Sequence, residues 1–260
     1  VSVYIRLGND FDQNYYEYEV SIKFTRNSNS LASIPNFAIP KKSTLELWVN
    51  TSGAAGPQTI LSKKSTGNEL RIYLEPSGIN QTLKVLLNGS SHSFGFLGNG
   101  YQHLAMTLDS ASGTLHLFKN GVAIGSHSFG SLVGNLSEGN HLWNLGAHDG
   151  GDYYNGLIDE FAVYDTILSP SQITNHYNNA RDMQEADLFV YFPMDEGAGN
   201  RISNVGPLFM EFGSLTNAGW SSFSPNQEEE PHVFTPRTRQ VTLNPSVTSV
   251  DQVDFTDQST

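Results

Sequence analysis

The chain has 260 residues, enough for one large β domain with extensions or for two small domains. Its formal net charge of −12 argues against nucleic acid, whose phosphates need a basic surface, and suits calcium and a solvated extracellular surface. There is no cysteine, so no disulfide framework exists, and no apolar run is long enough to insert in a membrane.

Residues 1–20 read as N-terminal strands or a linker. Val1–Leu7 and Tyr15–Phe24 are strand-like and flank a polar turn. Val1 reads as an internal start within a longer protein. In Thr44–Asn50 the alternation puts Leu45, Leu47 and Val49 on one face and Thr44, Glu46, Trp48 and Asn50 on the other. A series of short strands follows, at Thr59–Ser62, Glu69–Glu75, Leu83–Leu87, Ser91–Phe96, Gln102–Asp109, Thr114–Lys119, Val122–Phe129 and His141–Gly146. Asn88-Gly89 and Asn120-Gly121 are hairpin turns. The pentapeptide SHSFG occurs at Ser91–Gly95 and again at Ser126–Gly130, each after such a turn; local convergence of two return strands accounts for it. Such strand spacing predicts an all-β, antiparallel two-sheet jelly-roll sandwich.

The most informative stretch is Gly150–Asn179. It predicts a loop, a strand at Leu157–Tyr164, and one short helix near 169–179. Strict alternation would place Leu157, Asp159, Phe161 and Val163 on one face, and Ile158, Glu160, Ala162 and Tyr164 on the other. Asp159 then sits among apolar neighbours and must be paired, hydrogen-bonded or metal-bound. Ser169, Pro170 and Gln172 form the signature of a capping box.

Tyr154, Gly156, Ile158, Asp159, Glu160, Tyr164, Leu168 and Ser169 resemble the C-terminal signature of laminin-G-like domains of the concanavalin A-like lectin and glucanase superfamily. Phe24, Asn29, Ile34, Pro35, Leu45, Glu46, Trp48 and Val49 resemble that family's opening. The resemblance covers roughly Ser21–Asn179 and implies a jelly roll at 21–225. Residues 186–225 resemble a segment that normally opens such a domain. They either complete the sandwich or begin a second copy; completion is favoured, with Phe189, Tyr191 and Trp220 packed on the preceding strands. Residues 226–260 read as a linker and the lead-in to a following β module, with strand-like pieces at Gln240–Leu243 and Val250–Phe255.

The resemblance implies a calcium ion held by Asp159 with the early turn, including Asn27 and Asn29. Asp159 can equally be satisfied by backbone N–H groups or Arg26. The Gly-rich loop carries Asp149, Asp152 and Asn155, and loops on rigid scaffolds are where contacts concentrate. Asp149, Asp152, Tyr153, Tyr154 and Trp143 are the candidate ligand-binding residues, the aromatics as platforms for sugar rings. A glycosidase needs two carboxylates flanking a cleft, and alternation points Asp159 and Glu160 to opposite faces. His116 and His176 read as a strand-surface and a helix-surface residue. The reading is therefore non-catalytic: an extracellular or bacterial cell-surface binding or adhesion module taking a glycan or surface-protein ligand beside adjacent β modules. The other readings are a structural spacer and an accessory domain of a polysaccharide-degrading enzyme.

Overall fold

The computed structural model describes residues 20–53, 55–64, 69–131, 141–179 and 187–225. The strand-like pieces expected at Val1–Leu7, Gln240–Leu243 and Val250–Phe255 lie outside these residues.

In chain order the strands are β1 (Ser21–Phe24), β2 (Leu31–Ile34), β3 (Lys42–Thr51), β4 (Gln58–Lys64), β5 (Glu69–Ser77), β6 (Asn80–Leu87), β7 (Ser90–Phe96) and β8 (Tyr101–Asp109). There follow β9 (Thr114–Lys119), β10 (Val122–Ser128), β11 (Trp143–Leu145), β12 (Gly156–Tyr164), β13 (Leu188–Phe192), β14 (Arg201–Ile202), β15 (Gly213–Thr216) and β16 (Gly219–Ser221). One helix, α1 (Pro170–Asn178), lies between β12 and β13.

The strands form two antiparallel sheets. The first runs β10-β9-β8-β3-β12-β1-β16, with β13 also on β12; the second runs β14-β15-β2-β11-β4-β5-β6-β7. Their inner faces enclose one core, including Ile22, Leu45, Leu47, Val49, Ile72, Val85, Leu117, Trp143 and Phe161. Alternation in β3 is as read: Leu45, Leu47 and Val49 face this core, while Trp48 joins a smaller cluster on the outer face, beneath Ile173 of α1.

The helix begins where the capping box requires. Ser169 Oγ accepts from Gln172 N at 3.3 Å, and Gln172 Oε1 accepts from Ser169 N at 3.0 Å. The hairpin turns carry their expected left-handed residues, with φ of 53° at Asn88 and 51° at Asn120.

Residues 188–221 pair into both sheets. β13 adds to β12 and β16 to β1 in the first sheet, and β15 adds to β2 in the second. Phe189 meets Phe37 edge-on, Tyr191 is buried in the outer cluster, and Trp220 packs against the core.

One expectation is overturned within β12. Asp159 stands opposite Trp48, but Ala162 stands opposite Glu46, so Glu160 and Phe161 together face Leu47 alone. This is a β-bulge, with Glu160 at φ 53°. The extra residue resets the alternation. Ile158, Phe161 and Val163 point inward, while Asp159, Glu160, Ala162 and Tyr164 lie on the outer face. Asp159 and Glu160 therefore share a face.

Candidate functional site

The outer face of the second sheet is polar because the strands beneath it alternate. Residues directly opposite on neighbouring strands share a face, and one register row crosses Ser33, Asn144, Ser62 and Arg71. Thr59 and Tyr73 are opposite each other on the same side. The loop joining β11 to β12 folds beside this row. Its backbone is tied down by Thr59 N donating to Asp152 O at 2.7 Å and Tyr154 N donating to Gly146 O at 2.8 Å. Gly146 has φ 81°, and any β-carbon there would collide with the Phe24 ring.

The loop brings two carboxylates to the sheet. Asp149 pairs with Lys64 at 2.7 Å, and Asp152 with Arg71 at 2.6 Å. Both aspartates take left-handed backbone, φ 49° and 46°. Arg71 Nε also donates to Thr59 Oγ1 at 2.9 Å, and its guanidinium lies 4.4 Å over the Tyr73 ring. His148 pairs with Glu69. The hydrogen bond from Lys64 holds the Asp149 carboxyl below the usual carboxylate range, and the same bond raises the Lys64 ammonium.

Lys64, His148 and Asp149 border an open cleft of about 280 Å³, whose other lining residues are Ser62, His141, Leu142 and Asn144. That is the small end for ligand sites, which run roughly 300–1,000 Å³. Leu142 is 48% exposed and supplies an apolar wall. Behind the cleft the buried Lys63 donates to the Asn36 side chain and the His141 carbonyl and lies 5.6 Å from the Trp143 ring. Burial pushes its pKa down to about 8.

The fold thus brings Asp149 and Asp152 together with Lys64, Arg71, Glu69 and His148. Tyr153 is half-buried in the same loop. Trp143 and Tyr154 are corrected: both are fully buried and offer no platform. Trp143 stacks on Phe37 at 4.8 Å, being on the inward-facing register of β11. Tyr154 meets Phe24 edge-on and shares a 2.8 Å hydrogen bond with Thr51. Sequence reading missed Lys64, Glu69 and Arg71. The usable signal was the alternation Glu69, Arg71, Tyr73, Glu75, which puts four large polar or aromatic side chains on one face of β5.

The expected calcium donors separate. Asp159 lies near Ser21, at one end of β1, whereas Asn27 and Asn29 lie beyond Phe24 at the other, and both are exposed. Arg26 does not reach Asp159; its guanidinium donates to Pro57 O at 2.7 Å. Asp159 instead accepts from Ser21 Oγ at 2.9 Å and from Glu160 N at 3.1 Å. Burial, then the Glu160 charge, pushes its carboxyl well above the usual range, and Asp195 adds to this. Glu160 accepts from Tyr191 OH. Two adjacent buried carboxylates fit a cation or a proton. Among the described residues no group of three or more His, Asp or Glu side chains is placed to hold a metal.

His176 is corrected too. It is fully buried, with Nδ1 2.8 Å from Glu46 Oε2, because that side of α1 packs onto the first sheet.

A two-sheet antiparallel sandwich with a polar cleft on one outer face and a capped helix on the other is a lectin-type jelly roll. The chain belongs to the concanavalin A-like lectin/glucanases superfamily, whose laminin-G-type family model matches residues 25–174. None of the curated proteins matches it in sequence. A solved structure from Bacteroides ovatus, provisionally described as a carbohydrate-binding protein, is similar at a TM-score of 0.58 and 16% identity. The alignment covers 78% of this chain and 59% of the Bacteroides chain, so the chain spans well under two thirds of that protein. A heptameric pentraxin from Limulus polyphemus is similar at a TM-score of 0.54 and 13% identity, over 76% of this chain and 95% of that one. These likenesses are of fold. Among the described residues no helix is long and apolar enough to cross a membrane.

Proposed function

We propose that this domain is a non-catalytic carbohydrate-binding module of an extracellular or cell-surface protein, taking a glycan in the cleft beneath the loop at residues 146–155. The carrying observation is the cleft itself. The Lys64–Asp149 pair presents fixed donors and acceptors beside the exposed Leu142, and the Arg71–Asp152 pair continues this polar surface from the lining residue Ser62. A sugar ring needs that combination: an apolar face to cover and hydroxyls to bond. The described carbohydrate-binding character of the Bacteroides protein supports the reading. A glycosidase general acid must have a raised pKa, whereas Lys64 holds the cleft's Asp149 down; the raised Asp159 lies on β12 of the other sheet, away from this cleft.

The test is titration of the whole chain with a panel of neutral oligosaccharides, followed by calorimetry on the best binder. Asp149→Ala and Arg71→Met should each weaken binding about tenfold, or ~1.4 kcal/mol, with no release of reducing sugar over time. If no glycan binds, or if both variants bind as well as the parent, the cleft is not the site and a protein-adhesion or spacer role gains ground.

The burial of two adjacent carboxylates, Asp159 and Glu160, favours a second, structural reading. If a calcium ion is resident, these two carboxylates would supply two of its six to eight oxygens. The unfolding midpoint should then fall with chelator and recover with calcium, and Asp159→Asn should remove the response. A chelator-insensitive midpoint with no bound metal by elemental analysis would rule this out.

A further inference from the structure

The two SHSFG copies fall on β7 and β10. These are the terminal strands of the two different sheets, and they pack against each other at one side of the sandwich. There the imidazoles of His92 and His127 stack with centroids 4.0 Å apart and planes within 13°. Each also meets, edge-on, the phenylalanine two residues further along the chain. His92 to Phe94 is 4.9 Å, and His127 to Phe129 is 4.7 Å. Both phenylalanines belong to the core. The repeated pentapeptide therefore builds two matching halves of one contact.

Two hydrogen bonds flank it. Asn88 Nδ2 donates to Phe129 O at 3.1 Å, and Lys119 Nζ donates to Phe96 O at 3.0 Å. Gly125 lets the strands approach, since a β-carbon there would come 3.1 Å from Phe94 Cδ1.

Among the described residues, the strands that flank the stack carry no negative charge. His92 stands opposite Val85 and His127 opposite Leu115, both buried. The sequences of β6, β7, β9 and β10 contain no Asp or Glu. Lys84 on β6 is paired with Glu75 of β5. Lys119 on β9 adds a positive charge at the Phe96 end, and His116 is exposed on the opposite side of β9 from the inward Leu115. Helix α1 also touches β10; of its titratable residues, His176 is turned to Glu46 and Tyr177 stacks on Trp48. Burial, then the neighbouring His127 charge, holds His92 below its ordinary value.

We propose that the His92–His127 stack is an acid-sensitive clasp: neutral rings hold β7 against β10, and protonation of both parts this seam and uncovers Phe94 and Phe129. Like charges in contact repel, and no carboxylate on the flanking strands offsets them. The direction follows from linkage. A histidine whose pKa is depressed by folding stabilises the folded seam above the ordinary value of 6.5, and that contribution is lost as pH falls through it.

Hydrogen exchange on the intact chain at pH 7.5 and 5.5, corrected for intrinsic rates, tests the clasp. Amides of Ser90–Phe96 and Val122–Ser128 should open about tenfold more at the lower pH, while β3 and β8 hold. His127→Phe keeps a stacked ring without the charge and should abolish the acid response; His127→Gln serves if the phenylalanine variant does not fold. In either variant the NMR midpoint of His92 should rise towards 6.5. Seam exchange independent of pH, an acid response that survives in the variants, or an unmoved His92 midpoint would each overturn the proposal.

Discussion

Glu46 lies fully buried between two imidazoles, 2.8 Å from His176 Nδ1 and 3.6 Å from His103 Nε2. Burial alone would raise its pKa, but the two histidines outweigh that and leave it lowered from 4.5. A carboxylate depressed by folding contributes stability above its unfolded value, lost as pH falls through the folded one. Glu46→Gln should therefore destabilise the domain at pH 7 by about 1–3 kcal/mol, the cost of a buried hydrogen-bonding group left unsatisfied. The difference from the parent should narrow as pH drops below 4.5. Urea unfolding at several pH values reads both effects; a constant difference would show Glu46 to be neutral when folded. The sequence placed Glu46 on the outward face of β3 correctly but could not show what covers it, because His103 and His176 arrive from β8 and α1. Asp159 was legible as a buried carboxylate. Its company with Glu160 was not, since a bulge with non-glycine left-handed backbone leaves no residue signature.

At the scale of the element, local chemistry was the most legible part. Ser169, Pro170 and Gln172 announced the start of α1, and the structure contains both halves of the box. The helix matters beyond itself because Ile173 and His176 roof the outer cluster. Ser169→Ala removes the N-cap acceptor and should cost about 1 kcal/mol. The denaturant midpoint should fall with its slope unchanged; an unchanged midpoint would mean that tertiary packing alone sets the helix start. The SHSFG repeat shows the opposite case. It was plain as a repeat, yet its role needed knowledge that β7 and β10 end different sheets and come together. Likewise, the Trp143 and Tyr154 rings were visible as aromatics, but pleat direction and loop path decided that both turn inward.

At the scale of the molecule, the family match stops at residue 174, while the sandwich continues to β16. The late strands close both sheets at once. Val190, Phe192, Met194, Ile202 and Leu215 all enter the main core. Burying such side chains stabilises by roughly 1.5–3 kcal/mol each, so the five contribute on the order of 10 kcal/mol. That is comparable with the whole stability of an ordinary domain, about 5–15 kcal/mol. Removing them would also strip one neighbour from β12, β1 and β2, exposing unpaired backbone beside apolar surface. A chain ending at Glu185 should therefore aggregate or lose its cooperative unfolding transition, and the separate fragment from Ala186 should not restore a midpoint equal to the parent's unless it re-pairs with the cut domain. Calorimetry of the shortened chain decides the matter. A cooperative transition near the parent's temperature would mean that the strands up to β12 already hold a complete core, and that β13–β16 are an appendage on it.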